Sequence, residues 1–171
     1  MSDREFLQKL GFEGFLTVAE LRSSALKDAP GYPGVYVFLR ESRDAPVFLD
    51  RSVGGHFKGK DPTVQISELR KAWVPESSIV YIGKAGKLGG PPTLRTRLRQ
   101  YLDFGAGKPV GHWGGRFIWQ LEDANDVVVC WRATGDEAPS GVEHNLLAEF
   151  ERKHGRLPFA NLVRGTQRCV L

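Results

Sequence analysis

Three short runs of β-branched and aromatic residues, at 35–39, 79–82 and 127–131, set the limits of this fold. Such runs suit buried strands. Between them lie helical patterns and loops, so the order reads strand, long insertion, strand, helix, short helix, strand, helix. That order predicts a small α/β or α+β domain on a three-stranded sheet. A length of 171 residues suits one domain, and 41% apolar residues supply a core and exclude global disorder. No apolar run reaches the ~18 residues of a bilayer helix. The opening MSDREFLQKL lacks a basic-then-apolar leader, and the two cysteines, Cys130 and Cys169, are too few for a disulfide framework. These features together predict a cytoplasmic protein with no membrane partner.

Along the chain, Phe6, Leu7 and Leu10, then Leu16, Val18 and Leu21, predict two short helices within residues 2–26. Pro30-Gly31-Tyr32-Pro33-Gly34 is a turn, because proline fixes φ and glycine accepts positive φ. Residues 54–62 read as a loop, and a short helix is expected near 67–72. The second strand is expected to end at Gly83. Leu94, Leu98, Tyr101 and Leu102 follow an i, i+4, i+7, i+8 pattern, which predicts an amphipathic helix over 93–102 capped by Thr93. A short helix is expected over 115–121. Another starts at Ser140 or Gly141, runs to His154 and stops at Gly155. The last ten residues read as a tail.

Charge is distributed unevenly. Residues 77–121 carry seven basic side chains (Lys84, Lys87, Arg95, Arg97, Arg99, Lys108, Arg116) and one acid, Asp103, whereas residues 122–151 carry eight acids and one base. A positive face of this kind can attract a polyanion, although solvated helix charge gives the same pattern.

Two helices offer candidate chemistry. On the last one, Leu146, Leu147 and Phe150 span an arc of about 100°, with Glu143 inside it. Glu149 lies at the stripe's edge, where a carboxylate can reach a cleft without full burial. It is therefore the preferred metal ligand, with Glu143 as the second choice. On the 93–102 helix, Arg97 and Tyr101 share one face beside the apolar stripe. The planar guanidinium fork matches a phosphate. Arg95 and Arg99 point elsewhere, toward solvent or phosphate. Tyr36 and Tyr81 each sit in a strand, where a lone tyrosine is usually core.

The series Gly34-Val35-Tyr36, Val80-Tyr81-Ile82-Gly83-Lys84, Arg97-x-x-x-Tyr101, Leu146-Leu147-x-Glu149 and Pro158-x-x-Asn161 resembles the GIY-YIG nuclease superfamily. The resemblance spans roughly residues 30–161. It implies a GIY-YIG-like domain with a three-stranded mixed or antiparallel sheet flanked by helices and a long insertion, 41–78, between the first two strands. Residues 1–29 would be a helical extension and 162–171 a tail. It implies a metal-dependent endonuclease that hydrolyses phosphodiester bonds of nucleic acid, DNA in the first place. Tyr36 and Tyr81 would be paired active-site phenols, one of them deprotonating the attacking water. Lys84 would assist proton transfer or bind phosphate, Arg97 would stabilise charge at phosphorus, and Tyr101 would orient phosphate or water. Glu149 would hold one divalent cation, Mg²⁺ or Mn²⁺, and Asn161 would support the site by hydrogen bonding. A homodimer would let one site per subunit cut both strands. The alternative function is a nucleic-acid-binding module that keeps the fold without cutting.

Lys58, Lys60, Lys87, Arg95, Arg99, Lys108 and Arg116 complete the expected nucleic-acid face. His56-Phe57-Lys58-Gly59-Lys60 is either a DNA contact or a solvated loop, and His112 with Trp113 and Arg116 is either a groove wall or a structural group. Gly105-Ala106-Gly107-Lys108 is no phosphate loop, since Pro109 follows the lysine and Leu102 stands where the first glycine belongs.

Overall fold

The computed structural model describes residues 1–87 and 90–164. Its elements are helix α1 (Asp3–Lys9), strand β1 (Glu13–Thr17), α2 (Val18–Ser23), β2 (Gly34–Leu39), α3 (Ile66–Ala72), β3 (Ile79–Ala85), α4 (Leu94–Gly105), a 3₁₀ turn (Arg116–Gln120), β4 (Val128–Ala133) and α5 (Pro139–His154). The fold is α+β. One antiparallel sheet of four strands runs in the order β1-β4-β2-β3, where three strands were expected.

The additional strand is β1, inside a segment expected to be helical throughout. Both short helices form there, each with a Ser or Thr capping box, Ser2 with Glu5 and Thr17 with Glu20. Between them a bulge breaks the register of β1 against β4, with Gly14 at φ 93° and Phe15 at φ 52°. The bulge destroys the two-residue alternation that marks a strand. Gly14 is required because a Cβ there would lie 2.6 Å from the Trp131 ring. Residues 1–29 are thus no purely helical extension, since they close one edge of the sheet.

β2 is buried at every position, as a central strand covered on both faces must be. One face carries Tyr36 and Phe38 against α4, the 3₁₀ turn and the insertion. The other carries Val35, Val37 and Leu39 against α1 and α5. Each core leucine, such as Leu94, Leu98 or Leu147, contributes about 1.5–3 kcal/mol by leaving water. α4 matches its expected register and continues to Gly105. α5 begins with a proline in its first turn and ends at Gly155, in the left-handed region at φ 69°.

The 41–78 insertion is bound into the first core. The fully buried Gln120 accepts from Val64 N–H and donates to the Leu49 and Val64 carbonyls, pinning both ends of the loop. β3 continues through Gly83 to Ala85, past its expected end. It is an edge strand, and residues 160–161 bond along it: Ala160 N–H donates to Val80 O, and the Asn161 amide bonds both Ile82 N–H and O. The tail after Arg164, with Cys169, lies outside the described residues. No described helix is long and apolar enough to cross a membrane.

Candidate active site

The antiparallel register sets Tyr36 opposite Gly83 and Phe38 opposite Tyr81, so the two tyrosines sit diagonally on one face. Their ring centroids are 6.1 Å apart. Gly83 makes this possible: a Cβ there would lie 2.5 Å from Tyr36 Cζ. The Tyr36 ring therefore lies over bare backbone, toward the C-terminal end of β3. Lys84 follows on that strand, and successive side chains alternate between faces. Its Nζ is 2.9 Å from Glu143 Oε2 on α5. Arg97, half-buried on α4, completes the group and donates to Gln100 Oε1 at 3.2 Å.

Tyr36, Tyr81, Lys84, Arg97 and Glu143 share one hollow of about 260 Å³, rimmed by Gly86 and Pro92. Gly86, at φ 83°, has no room for a side chain, since its Cβ would lie 2.6 Å from Pro92 O. A second hollow of about 210 Å³ adjoins it and shares Tyr81, Lys84 and Glu143. Gly114, Gly115 and Leu147 help to line it. The Lys84–Glu143 ion pair forms the waist between the two.

Burial pushes the Tyr36 phenol up to about 12, against the opposing pull of the Arg97 guanidinium and the Tyr81 hydroxyl. Burial also holds Tyr81 well above the ordinary tyrosine range, and the neighbouring Tyr36 adds to the effect. Both phenols are protonated at neutral pH in the protein alone. Either could accept a proton from water only with more positive charge close by.

Glu149, the expected metal ligand, does not line this hollow. It lies six residues beyond Glu143, about 9 Å along α5 and roughly 240° around it. Its side chain is 47% exposed and paired with Arg152 at 2.6 Å. The hydrogen bonds from Arg152 hold its carboxyl below the usual range. It borders a different cavity of about 250 Å³, with Phe6, Leu7, Val37, Ile82 and Phe150. The carboxylate that meets the tyrosines and Arg97 is Glu143, with its side chain 12% exposed. Its place within the apolar stripe is tolerable because Lys84 partners it there.

Tyr101 also departs from expectation. It is fully buried, its hydroxyl donates to Gly115 O, and its ring packs 5.4 Å from that of Tyr81. It packs behind Tyr81 and lines neither hollow. Gly115, at φ 77°, permits this approach, since a Cβ there would lie 2.4 Å from the Tyr101 hydroxyl. Asn161 bonds both Ile82 N–H and Ile82 O on β3, one residue from Tyr81.

Several expected nucleic-acid contacts are engaged within the chain. Arg95 donates to the Ala29 and Lys27 carbonyls, and Arg99 to Ala25 O at 3.5 Å, so both tie down the segment before β2. Lys108 pairs with Asp103 at 2.8 Å. Arg116 lies over Trp113 and Phe117. Lys58 sits beside the Phe57 ring, and Lys58, Lys60 and Lys87 remain exposed. His112 is buried at 1% exposure and stacks on Tyr101 with centroids 4.1 Å apart, which excludes it from a groove wall. In the sequence Gly83 is read only as the end of a strand, and Gly115 and Gln120 carry no site role. Gly83 alone had a visible signal, as the glycine two residues after a strand tyrosine.

Among the described residues no cluster of three or more His, Cys, Asp or Glu could cage a metal ion. Glu143 offers one carboxylate at an open hollow. That donor set fits a hard cation such as Mg²⁺, which keeps several waters and takes its remaining oxygens from a substrate phosphate. It does not fit a structural zinc site. No family model, curated protein or solved structure matches this chain.

Proposed function

We propose that this protein is a GIY-YIG-type phosphodiesterase that cuts nucleic acid, DNA in the first place, with Glu143 rather than Glu149 as the ligand of one divalent cation. The observation that carries the reading is the shared hollow. It gathers two buried phenols, a guanidinium, an ammonium and a carboxylate from β2, β3, α4 and α5.

Hydrolysis of a phosphodiester needs an activated water and donors for the charge that builds on the phosphate oxygens. Arg97 and Lys84 are the donors. The guanidinium fork can bind two phosphate oxygens at once, and the lysine acts as a point charge. Tyr36 or Tyr81 is the proton acceptor. The attacking water forms the new P–O bond and gives its proton to the phenolate, while the bond to the leaving oxygen breaks. Mg²⁺ on Glu143 would supply positive charge beside the scissile phosphate and favour the phenolate. With burial holding Tyr36 near 12, Arg97 alone does not create that phenolate at neutral pH.

The test is a cleavage panel of supercoiled, linear, branched and single-stranded DNA, and RNA, with Mg²⁺, Mn²⁺ or EDTA. Wild type is expected to cut at least one DNA substrate, with cleavage abolished by EDTA and by Arg97→Ala in a protein of unchanged circular dichroism. Steeply salt-dependent binding without cleavage on every substrate and metal would replace the enzyme with a binding module.

A further inference from the structure

We infer that Lys84 is a gate on Glu143: it holds the carboxylate in an ion pair until an anionic phosphate draws the ammonium away, so that cation and substrate bind cooperatively. This rests on the reading of Glu143 as the metal ligand. Lys84 Nζ sits 2.9 Å from Glu143 Oε2, within the first coordination space a cation would need. Among the described residues, Lys84 is the one cationic side chain in ion-pair contact with Glu143. The carboxylate side chain is 12% exposed, so little water competes for it. The ammonium side chain is 31% exposed and faces both hollows. It can therefore swing toward an anion without leaving the site.

Arg97 explains why an anion arrives there. It lines the same hollow, its guanidinium bonds only neutral side chains, Gln100 at 3.2 Å and the Tyr36 phenol, and no carboxylate forms an ion pair with it among the described residues. A phosphate on Arg97 adds negative charge beside Lys84 and competes with Glu143 for the ammonium. Glu143 is then released with its full charge toward a cation. Linkage requires the converse by the same factor: a cation on Glu143 frees Lys84 and tightens phosphate binding. In the resting protein the pair keeps Glu143 from taking up divalent ions strongly, so the site assembles on its substrate.

The test reads Mn²⁺ binding directly by electron paramagnetic resonance of the free ion, without nucleic acid or turnover. Wild type, Lys84→Met and Glu143→Gln are titrated with Mn²⁺ at fixed ionic strength, with and without sulfate as the phosphate stand-in. Lys84→Met is expected to bind Mn²⁺ about 10-fold more tightly than wild type, within the usual range of coupling between sites. Sulfate is expected to tighten Mn²⁺ binding to wild type by a larger factor than to Lys84→Met, where only its direct attraction for the cation remains. Glu143→Gln is expected to lose the site. Equal Mn²⁺ affinity in wild type and Lys84→Met overturns the gate, as does a sulfate effect that is absent in wild type or as large in Lys84→Met. Cleavage by wild type in Mn²⁺, assayed separately, distinguishes the two failures: a protein that cuts DNA but shows no such coupling keeps the proposed function and loses the gate.

Discussion

The buried histidine makes a prediction about acid stability that can be worked from its surroundings. His112 is 1% exposed, stacks on Tyr101, and has no hydrogen-bond partner at either ring nitrogen among the described residues. Burial, reinforced by the nearby Arg97 charge, pushes its pKa down to about 2. In the unfolded chain the imidazole titrates near 6.5. Below that value the unfolded state takes a proton that the folded state refuses, so stability falls as pH falls. The cost approaches about 1.4 kcal/mol per pH unit and reaches about 2.7 kcal/mol between pH 7.5 and 4.5. That is a large part of a stability of roughly 5–15 kcal/mol. The loss continues down toward the folded value of about 2. Urea unfolding of wild type and His112→Phe at pH 7.5 and 4.5 isolates the effect. Phenylalanine keeps the aromatic stack and cannot titrate, and carboxylates such as Asp3 contribute equally to both proteins. The phenylalanine variant should lose about 2–3 kcal/mol less than wild type on acidification, whatever its stability at pH 7.5. Parallel losses in the two proteins would refute the reasoning.

Two further outcomes concern the tyrosines. Burial holds Tyr36 up near 12 in the metal-free protein, so with a phenol as base the rate of Mg²⁺-dependent cleavage should rise with pH until the cation-bound phenol ionises, by up to about tenfold per unit; single-turnover rates left unchanged by both Tyr36→Phe and Tyr81→Phe would exclude a phenol as the base. Gly83→Ala places a methyl 2.5 Å from Tyr36 Cζ and should displace that ring, costing roughly 1–3 kcal/mol in denaturant unfolding and most of the cleavage; an alanine variant with wild-type stability and rate would show that the ring does not depend on that bare backbone.

How much of this was legible in the sequence depends on whether the signal was local. β2, β3, β4, α4 and α5 follow from apolar periodicity and glycine stops, because each buries a continuous stripe or run. β1 was hidden because its bulge at Gly14 and Phe15 removes the alternation that identifies a strand. The meeting of Tyr36, Tyr81, Lys84 and Arg97 was expected, and they line one hollow. The expected carboxylate, Glu149, does not line that hollow, and Glu143 does. The stripe-edge position and the Leu146-Leu147-x-Glu149 motif favour Glu149, but that edge of α5 faces a different cavity. Glu143 looked too dry for a charge, since nothing in the sequence shows that Lys84, 59 positions earlier, closes on it across the edge of the sheet. The same holds for Arg95, whose carbonyl partners at Lys27 and Ala29 come from a turn that no local pattern connects to α4.

The central claim is that Glu143, and not Glu149, completes the site with Tyr36, Tyr81, Lys84 and Arg97. The most direct test is Mg²⁺-dependent nicking of supercoiled DNA by wild type, Glu143→Gln and Glu149→Gln, each first shown to be folded. The account predicts nicking by wild type and Glu149→Gln at similar rates, and a loss of about 10²–10³-fold or more in Glu143→Gln. Wild-type nicking by Glu143→Gln, or its loss in Glu149→Gln alone, would contradict it.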